Sequence, residues 1–184
     1  MGPGAGPNQP GSPGPLRREE LERLLRAVGG YLADEGLTGE ILIVGGAYMT
    51  LVLRQREATK DIDAYFAAHP EAIRRAAARV AREEGLPADW LNDAVKGFLH
   101  VQPSSSVWLE VPGLRVHAPD PGYIFALKAY AARPEDLRDL RALRDVIGLT
   151  SADEALGVVT RYVPERFLTP RTQYLVEGLF DDDD

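Results

Sequence analysis

The chain contains no cysteine, which excludes disulfides, thiol catalysis and cysteine-ligated zinc. Histidine is nearly as scarce: there are three, His69, His100 and His117, and no two have the spacing of a histidine metal pair. No apolar run approaches the roughly 20 residues of a membrane helix, and the N-terminus lacks the basic-then-apolar order of a secretory signal. We therefore expect a cytoplasmic protein with no membrane partner.

An excess of positive charge is also missing, since the formal net charge is -7 and the pI is near 5.0. This argues against broad, charge-driven binding to nucleic acid, but it leaves a local basic cleft open. The remaining composition, 45% hydrophobic and 27% charged, is ordinary for a globular protein. The length of 184 residues favours one domain with a core large enough to fold independently.

Changes in composition divide the chain into four segments. Residues 1–15 are almost all Gly, Pro and small polar residues, and we predict a disordered tail because such a segment buries too little to offset its ordering entropy. Residues 16–119 alternate helices with strands, and residues 120–180 form a helical part packed on the same core. Residues 181–184 are an acidic tail. The order predicts an α+β fold, with a mixed β-sheet flanked by helices and a helical C-terminal part.

The spacing of apolar residues locates the individual elements. Helices are predicted over residues 16–32, 47–54, 70–84, 121–132, 135–147, 151–161 and 170–178. Strands are predicted over residues 41–44, 61–66, 106–111 and 114–117, the last two as a hairpin. Residues 86–98 are predicted as a short helix or turn that packs Trp90 and Leu91.

Two aspartates begin the second predicted strand. Asp61 and Asp63 are two residues apart, so their side chains share one face of the strand. Two unpaired carboxylates are costly to bury, but hard divalent cations take oxygen ligands and complete their shell with substrate phosphates. The pair predicts a site for Mg²⁺ or Mn²⁺. The alternative is a solvated strand end with two ordinary aspartates.

A glycine pair follows the first predicted strand and opens a short helix. Backbone N–H groups of Gly45 and Gly46 could approach a phosphate there, although such a pair is often only a tight turn. Thr59 and Lys60, just before the aspartates, add a hydroxyl and an ammonium group. Together these residues predict phosphate donors and metal ligands at adjacent strand ends.

The segments VGGA and TKDIDA resemble the signature of the nucleotidyltransferase superfamily. In that signature a hydrophobic residue is followed by Gly and by Gly or Ser. After a gap comes Asp-x-Asp or Asp-x-Glu, flanked by hydrophobic residues. The chain is most similar to the AbiEii/MenT type, the toxin arm of bacterial toxin–antitoxin systems. Those proteins also carry a helical Lys, then Arg-x-x-Asp followed by Asp-Leu. The matching text LKAYAARPEDLRDL contains Lys128, Arg133, Asp136 and Asp139. The resemblance spans about residues 37–143.

The resemblance implies a nucleotidyltransferase-like fold and an enzyme that moves a nucleoside monophosphate from an NTP to a hydroxyl of an RNA, such as a tRNA end, or of a protein. A cognate antitoxin is an implied partner. The implied catalytic residues are Asp61, Asp63, Lys128 and Asp136, with the two aspartates of the pair as metal ligands. The implied nucleotide-binding residues are Gly45, Gly46, Ala47, Thr59, Lys60 and Lys128. The alternative is a catalytically degenerate member that binds nucleotide or a protein partner.

Several assignments within this pattern stay open. Ala47 stands where many family members have Ser, so any phosphate contact there would rest on the backbone N–H. Asp136 could instead complement a helix dipole, and Lys128 could extend to solvent. Glu110 is a candidate third carboxylate. Arginines could line a basic rim for an RNA acceptor, or simply form solvated faces: Arg54, Arg56, Arg74, Arg75 and Arg79.

Overall fold

The computed structural model describes residues 14–93 and 101–181, which form an α+β fold with seven α-helices and a mixed five-stranded sheet. The helices are α1 (Arg18–Asp34), α2 (Gly45–Leu51), α3 (Pro70–Glu84), α4 (Pro121–Ala131), α5 (Leu137–Ile147), α6 (Ala152–Tyr162) and α7 (Pro170–Glu177), with 3-10 turns at Pro134–Asp136 and Glu165–Phe167. The strands are β1 (Leu16–Arg17), β2 (Gly39–Ile43), β3 (Ala58–Thr59), β4 (Ile62–Ala68), β5 (Leu91–Asn92), β6 (Ser105–Val111) and β7 (Leu114–Pro119). The predicted α+β class is confirmed.

Strand β2 lies at the centre of the sheet, whose order is β5-β4-β2-β7-β6. It runs antiparallel to β4 and parallel to β7, while β6 and β7 form the predicted antiparallel hairpin. The residue after β2, Val44, donates its backbone N–H to the carbonyl of Asp63 at 2.9 Å. The end of β2 and the start of β4 therefore meet at one edge of the sheet, which is where the predicted site residues lie.

Two clusters of buried side chains hold the elements together. The first joins the sheet to α1 and α3 through residues such as Leu25, Ile41 and Ile73. The second joins α2 and the ends of β2 and β7 to the C-terminal helices through residues such as Phe125 and Leu140. Because each cluster contains residues of the sheet or its ends, the helices after β7 pack on the same body as the strands.

Short strands account for most differences from the predicted elements. Helix α1 begins at Arg18, and the two residues before it form β1, which pairs antiparallel with β3 in the loop before the aspartates. The predicted turn or helix at residues 86–98 is wrong at Leu91–Asn92, which form β5 beside β4. Trp90 is buried as predicted and donates its indole N–H to the carbonyl of Ala77 at 3.0 Å. Residues 94–98 lie outside the described residues.

Two further boundaries affect the site. Helix α2 spans Gly45–Leu51, so it starts two residues before the predicted start and ends earlier. Strand β4 begins at Ile62, so Asp61 immediately precedes the strand. The predicted tails fall almost wholly outside the described residues. None of the helices in the described part of the chain combines the length and apolarity that a membrane-spanning segment requires.

Candidate functional site

A cleft of about 590 Å³ opens at the sheet edge where β2 ends and β4 begins. One wall comes from the turn after β2, the loop before β4 and the first residues of β4, and the facing wall comes from α4 and the 3-10 turn after it. Eight of the nine predicted site residues line it: Gly45, Gly46, Thr59, Lys60, Asp61, Asp63, Lys128 and Asp136. The fold therefore brings residues from two distant parts of the chain into one concave site.

The carboxylates of Asp61 and Asp63 both line the cleft and are partly exposed, whereas Ile62 between them is buried. Burial raises the pKa of Asp61, and the charge of Asp63 raises it further. Asp89 adds to the rise in pKa, and Lys60 opposes it. The fold thus holds two carboxylates that repel each other, and a divalent cation between them would relieve that repulsion.

This donor set fits Mg²⁺ or Mn²⁺ in a particular way. Within residues 14–93 and 101–181, no group of three or more acidic or histidine side chains could hold a metal ion. Mg²⁺ is commonly bound by one or two carboxylates, with substrate phosphates and water completing the octahedron. The Asp61–Asp63 pair is suited to that mode, in which metal and nucleotide bind together.

Glu110 is not part of the cleft. It lies on β6 opposite Arg115, which also bonds Glu40 near the start of β2. The aspartate pair lies beside the other end of β2, so the candidate third carboxylate is at the wrong end of the sheet. Glu110 is instead exposed and paired with Arg115 across the hairpin at 2.8 Å.

The first two residues of α2, Gly45 and Gly46, form the glycine turn, which lies beside Asp63 and Thr59. Gly45 has φ +60°, and a Cβ added to it would lie 3.0 Å from Oδ2 of Asp63. A Cβ on Gly46 would lie 2.7 Å from the hydroxyl oxygen of Thr59. Both glycines therefore allow a polar side chain to approach the backbone closely, and at Gly45 the positive φ gives a second reason for glycine.

Ala47 is the predicted site residue that does not line the cleft. Its side chain is 1% exposed and belongs to the core cluster with α1 and α3. Because the side chain at position 47 points into the core, any contact with a ligand would come from the backbone. The hydroxyl beside the turn is that of Thr59, which donates to the carbonyl of Asp61 at 3.3 Å.

Lys128 and Asp136 face inward, and the burial of Lys128 decides between the two alternatives that the sequence leaves open for it. Lys128 is 7% exposed and Asp136 is 8% exposed. The ammonium of Lys128 lies 2.5 Å from Oδ1 of Asp136 and 2.8 Å from Oδ2 of Asp139. Lys128 therefore does not extend to solvent. The carboxylate of Asp136 binds Lys128 and accepts no capping hydrogen bond, although Asp136 occupies the N-cap position of α5.

Asp139 links this pair to Arg56, for which the sequence predicts at most a place in a basic rim. Arg56 donates Nε and Nη2 to the two oxygens of Asp139 at 2.8 and 2.6 Å. The two residues are 83 positions apart, so no local pattern could have revealed the pair. Arg56 lines the main cleft and also an adjoining cavity of about 430 Å³.

The other arginines considered for a basic rim have different surroundings. Arg74 bonds Asp93, Arg75 bonds Glu35, and Arg79 bonds Glu83. These three residues lie on α3, away from the cleft walls. The prediction of a rim that includes them is not supported, and they form a solvated helix face.

Each wall of the cleft carries two acidic and two basic residues. Its acids are Asp61, Asp63, Glu135 and Asp136, and its bases are Arg56, Lys60, Lys128 and Arg133. The cleft is thus formally neutral, while the chain as a whole carries a net charge of -7. An anion accompanied by a divalent cation suits such a site better than either ion alone.

Comparison of the chain with protein-family models, curated proteins and solved structures gives no match. The geometry of the cleft and the resemblance of the short motifs are therefore the two indications of function.

We expect Asp61→Asn to stabilise the metal-free protein at neutral pH, by at most about 1 kcal/mol because solvent screens a partly exposed pair. The pKa of Asp61 in the folded protein lies above its ordinary value of 3.8, so the folded state binds this proton more tightly than the unfolded chain. Ionised Asp61 therefore lowers the free energy of unfolding of the wild type at a pH above its raised pKa. This loss of stability disappears as the pH falls below the ordinary pKa.

Thermal melts of wild type and Asp61→Asn from acid to neutral pH check this prediction. The variant should melt about 1–4 °C higher at neutral pH, and the difference should close in acid. Asp89→Asn, an exposed acid outside the cleft, is the control and should show a smaller effect. A metal-free variant that is less stable than wild type at neutral pH would contradict the prediction.

Proposed function

We propose that the protein is a metal-dependent nucleotidyltransferase that moves a nucleoside monophosphate from an NTP to a hydroxyl of an RNA, such as a tRNA end, or of a protein. The observation that carries the proposal is the meeting, in one cleft, of the Asp61–Asp63 pair, the Gly45–Gly46 turn and the buried Lys128. The α+β fold with its mixed sheet is compatible with the nucleotidyltransferase-like fold that the motifs suggest.

Asp61 and Asp63 would hold Mg²⁺ or Mn²⁺ together with the triphosphate. The bound metal would neutralise charge on the phosphates as the in-line displacement proceeds. The contribution of the chain is rigidity, since Asp63 belongs to β4 and its carbonyl is bonded to Val44. The main chain that carries Asp63 is thereby fixed before substrate arrives, which lowers the cost of assembling the site.

The turn and the loop beside it would bind phosphate oxygens. Gly45 and Gly46 expose their backbone to the cleft, and the Thr59 hydroxyl lies against Gly46. Lys60 is exposed at the same wall and adds a positive charge. These groups are donors or cations, which is the chemistry that a triphosphate requires.

Lys128 would supply a fixed positive charge from the facing wall. Its ammonium is held between Asp136 and Asp139, so it is oriented without depending on substrate. The 2.5 Å contact between Asp136 and Lys128 supports a role for Asp136 in holding the ammonium. Asp136 is then a positioning residue, and Lys128 contributes electrostatic stabilisation.

The proposal predicts transfer of label from an α-labelled NTP to an acceptor, with release of pyrophosphate and a requirement for Mg²⁺ or Mn²⁺. The assay presents each of the four NTPs with total tRNA and, separately, with protein acceptors. Asp61→Ala is the inactive control. If wild-type protein transfers no label to either class of acceptor and releases no pyrophosphate, the enzymatic proposal is wrong.

A second candidate is a degenerate member of the same fold that binds nucleotide without turnover. It is favoured by the salt bridges that engage Lys128, and by the limit of two carboxylates at the strand edge in the described residues. Metal-dependent NTP binding without pyrophosphate release would identify this case. The cognate antitoxin and the cytoplasmic location stay expectations from the resemblance and the composition.

A further inference from the structure

The guanidinium of Arg56 is held in a fixed orientation at the cleft. We propose that Arg56 is a substrate-binding residue that contacts the terminal phosphates of the NTP, the part that leaves as pyrophosphate. This inference rests on the proposed function, since it assigns a contact within the same site. Arg56 is not part of the motifs that carry the resemblance. Its contact would orient the triphosphate, with the terminal phosphates at Arg56.

The first observation is the way in which Asp139 binds the guanidinium. Nε and Nη2 of Arg56 form a two-point contact with Asp139, whose side chain is 3% exposed. That contact uses the Nε–Nη2 edge of the planar guanidinium and leaves Nη1 outside it. Among the described residues Nη1 has no hydrogen-bond acceptor, although Arg56 lines the cleft. A donor nitrogen is therefore oriented and free for a ligand.

The second observation is the position of Nη1 relative to the glycine turn. It lies 3.5 Å from the point that a Cβ of Gly46 would occupy, and the hydroxyl of Thr59 lies 2.7 Å from the same point. Asp63, in contrast, lies against Gly45. The turn thus has an acidic side at Gly45 and a donor side at Gly46, where Arg56 and Thr59 converge.

These two sides imply a direction for the substrate. Asp61 and Asp63 would hold the metal, which would supply neutralisation of charge on the phosphoryl group that is transferred. The remaining phosphates then extend toward the donor side, where the guanidinium provides paired N–H groups suited to phosphate oxygens. Lys128 and Arg56 share Asp139, so one buried carboxylate orients both cations.

The experiment measures binding of inorganic tripolyphosphate, and of a nucleoside monophosphate, each with Mg²⁺, by calorimetry. Arg56→Gln should weaken tripolyphosphate binding about tenfold to a hundredfold, the usual range for a hydrogen bond to a charged group. Binding of the monophosphate should change by less than about threefold. Arg54→Gln is the matched control, since Arg54 is exposed on the same loop and lines neither cavity.

A purely structural role for Arg56 would give a different result. If Arg56→Gln loses affinity equally for tripolyphosphate and for the monophosphate, or binds tripolyphosphate as wild type does, the inference is overturned. Arg56→Lys keeps the charge and loses the planar guanidinium. Its affinity for tripolyphosphate should lie between that of wild type and that of Arg56→Gln. If wild type binds none of the four NTPs in the presence of Mg²⁺, the proposed function itself fails, and this outcome is distinct from a failure confined to Arg56.

Wild-type protein provides a measurement that does not depend on the folding of a variant. Phenylglyoxal modifies accessible arginines, and the modified residues are located by mass spectrometry. Pyrophosphate with Mg²⁺ should protect Arg56 and leave Arg54 reactive. Equal modification of Arg56 with and without pyrophosphate, under conditions in which calorimetry shows binding, would overturn the inference.

Discussion

Substitution of Asp63 by Asn should lower metal-dependent nucleotidyl transfer by about a thousandfold or more, because a carboxylate that holds the metal is worth several kcal/mol at the transition state. Asn has the same shape, so the contact of this side chain with Gly45 is kept. The backbone bond from Val44 to residue 63 is also unaffected. The substitution therefore removes charge and little else, and loss of activity reports on the metal site.

Initial rates with saturating NTP and metal measure this effect. Asp89→Asn is the matched control, because it removes one nearby acid that is exposed and does not line the cleft. A rate for Asp63→Asn within about tenfold of wild type, a difference of about 1.4 kcal/mol, would remove Asp63 from the catalytic machinery. If wild type binds NTP without turnover, metal-dependent NTP affinity takes the place of the rate.

Long periodic elements could be predicted from the sequence. Helix α3 spans Pro70–Glu84 in both the prediction and the structure, and the β6–β7 hairpin forms around the predicted Pro112-Gly113 turn. Both depend on patterns several residues long that only one secondary structure satisfies. Strands β1, β3 and β5 have two residues each, too few for any period, and exist because neighbouring segments pair with them.

The structure brings predicted site residues together where their charge and their spacing in the sequence favour the same position. Asp61 and Asp63 share the cleft because alternation on an extended chain requires it. Ala47 differs because its side chain belongs to the core, so any ligand contact there would have to come from its backbone N–H.

The inward orientation of Lys128 could not be decided from the sequence, because its counter-ions come from other elements. A buried ammonium is costly unless it is paired. Asp136 lies in the following 3-10 turn and Asp139 in α5, while Arg56 comes from the loop before β3. Together the two cations and the two carboxylates form a formally neutral group. The burial of each charged side chain therefore depends on partners from other elements.

Asp139→Asn should give the largest loss of stability among single substitutions at the cleft, about 3–5 kcal/mol. Asp139 is 2% exposed. It accepts two hydrogen bonds from Arg56 and forms a salt bridge with Lys128. Asn removes the charge and replaces one acceptor oxygen by a donor, so the two cations lose their shared counter-ion. Thermal unfolding should show a fall in Tm of roughly 6–20 °C.

Asp145→Asn on the same helix is the control for this substitution. Its side chain is 66% exposed and pairs with its neighbour Arg144, so the change should cost less than about 1 kcal/mol. The double variant Asp139→Asn/Arg56→Met tests the cause. Among the described residues Arg56 pairs with Asp139, whereas Lys128 keeps Asp136, so removing Arg56 should recover part of the stability that Asp139→Asn loses. Losses that simply add, or a loss below about 1 kcal/mol in the single variant, would show that Asp139 does not hold the two cations together.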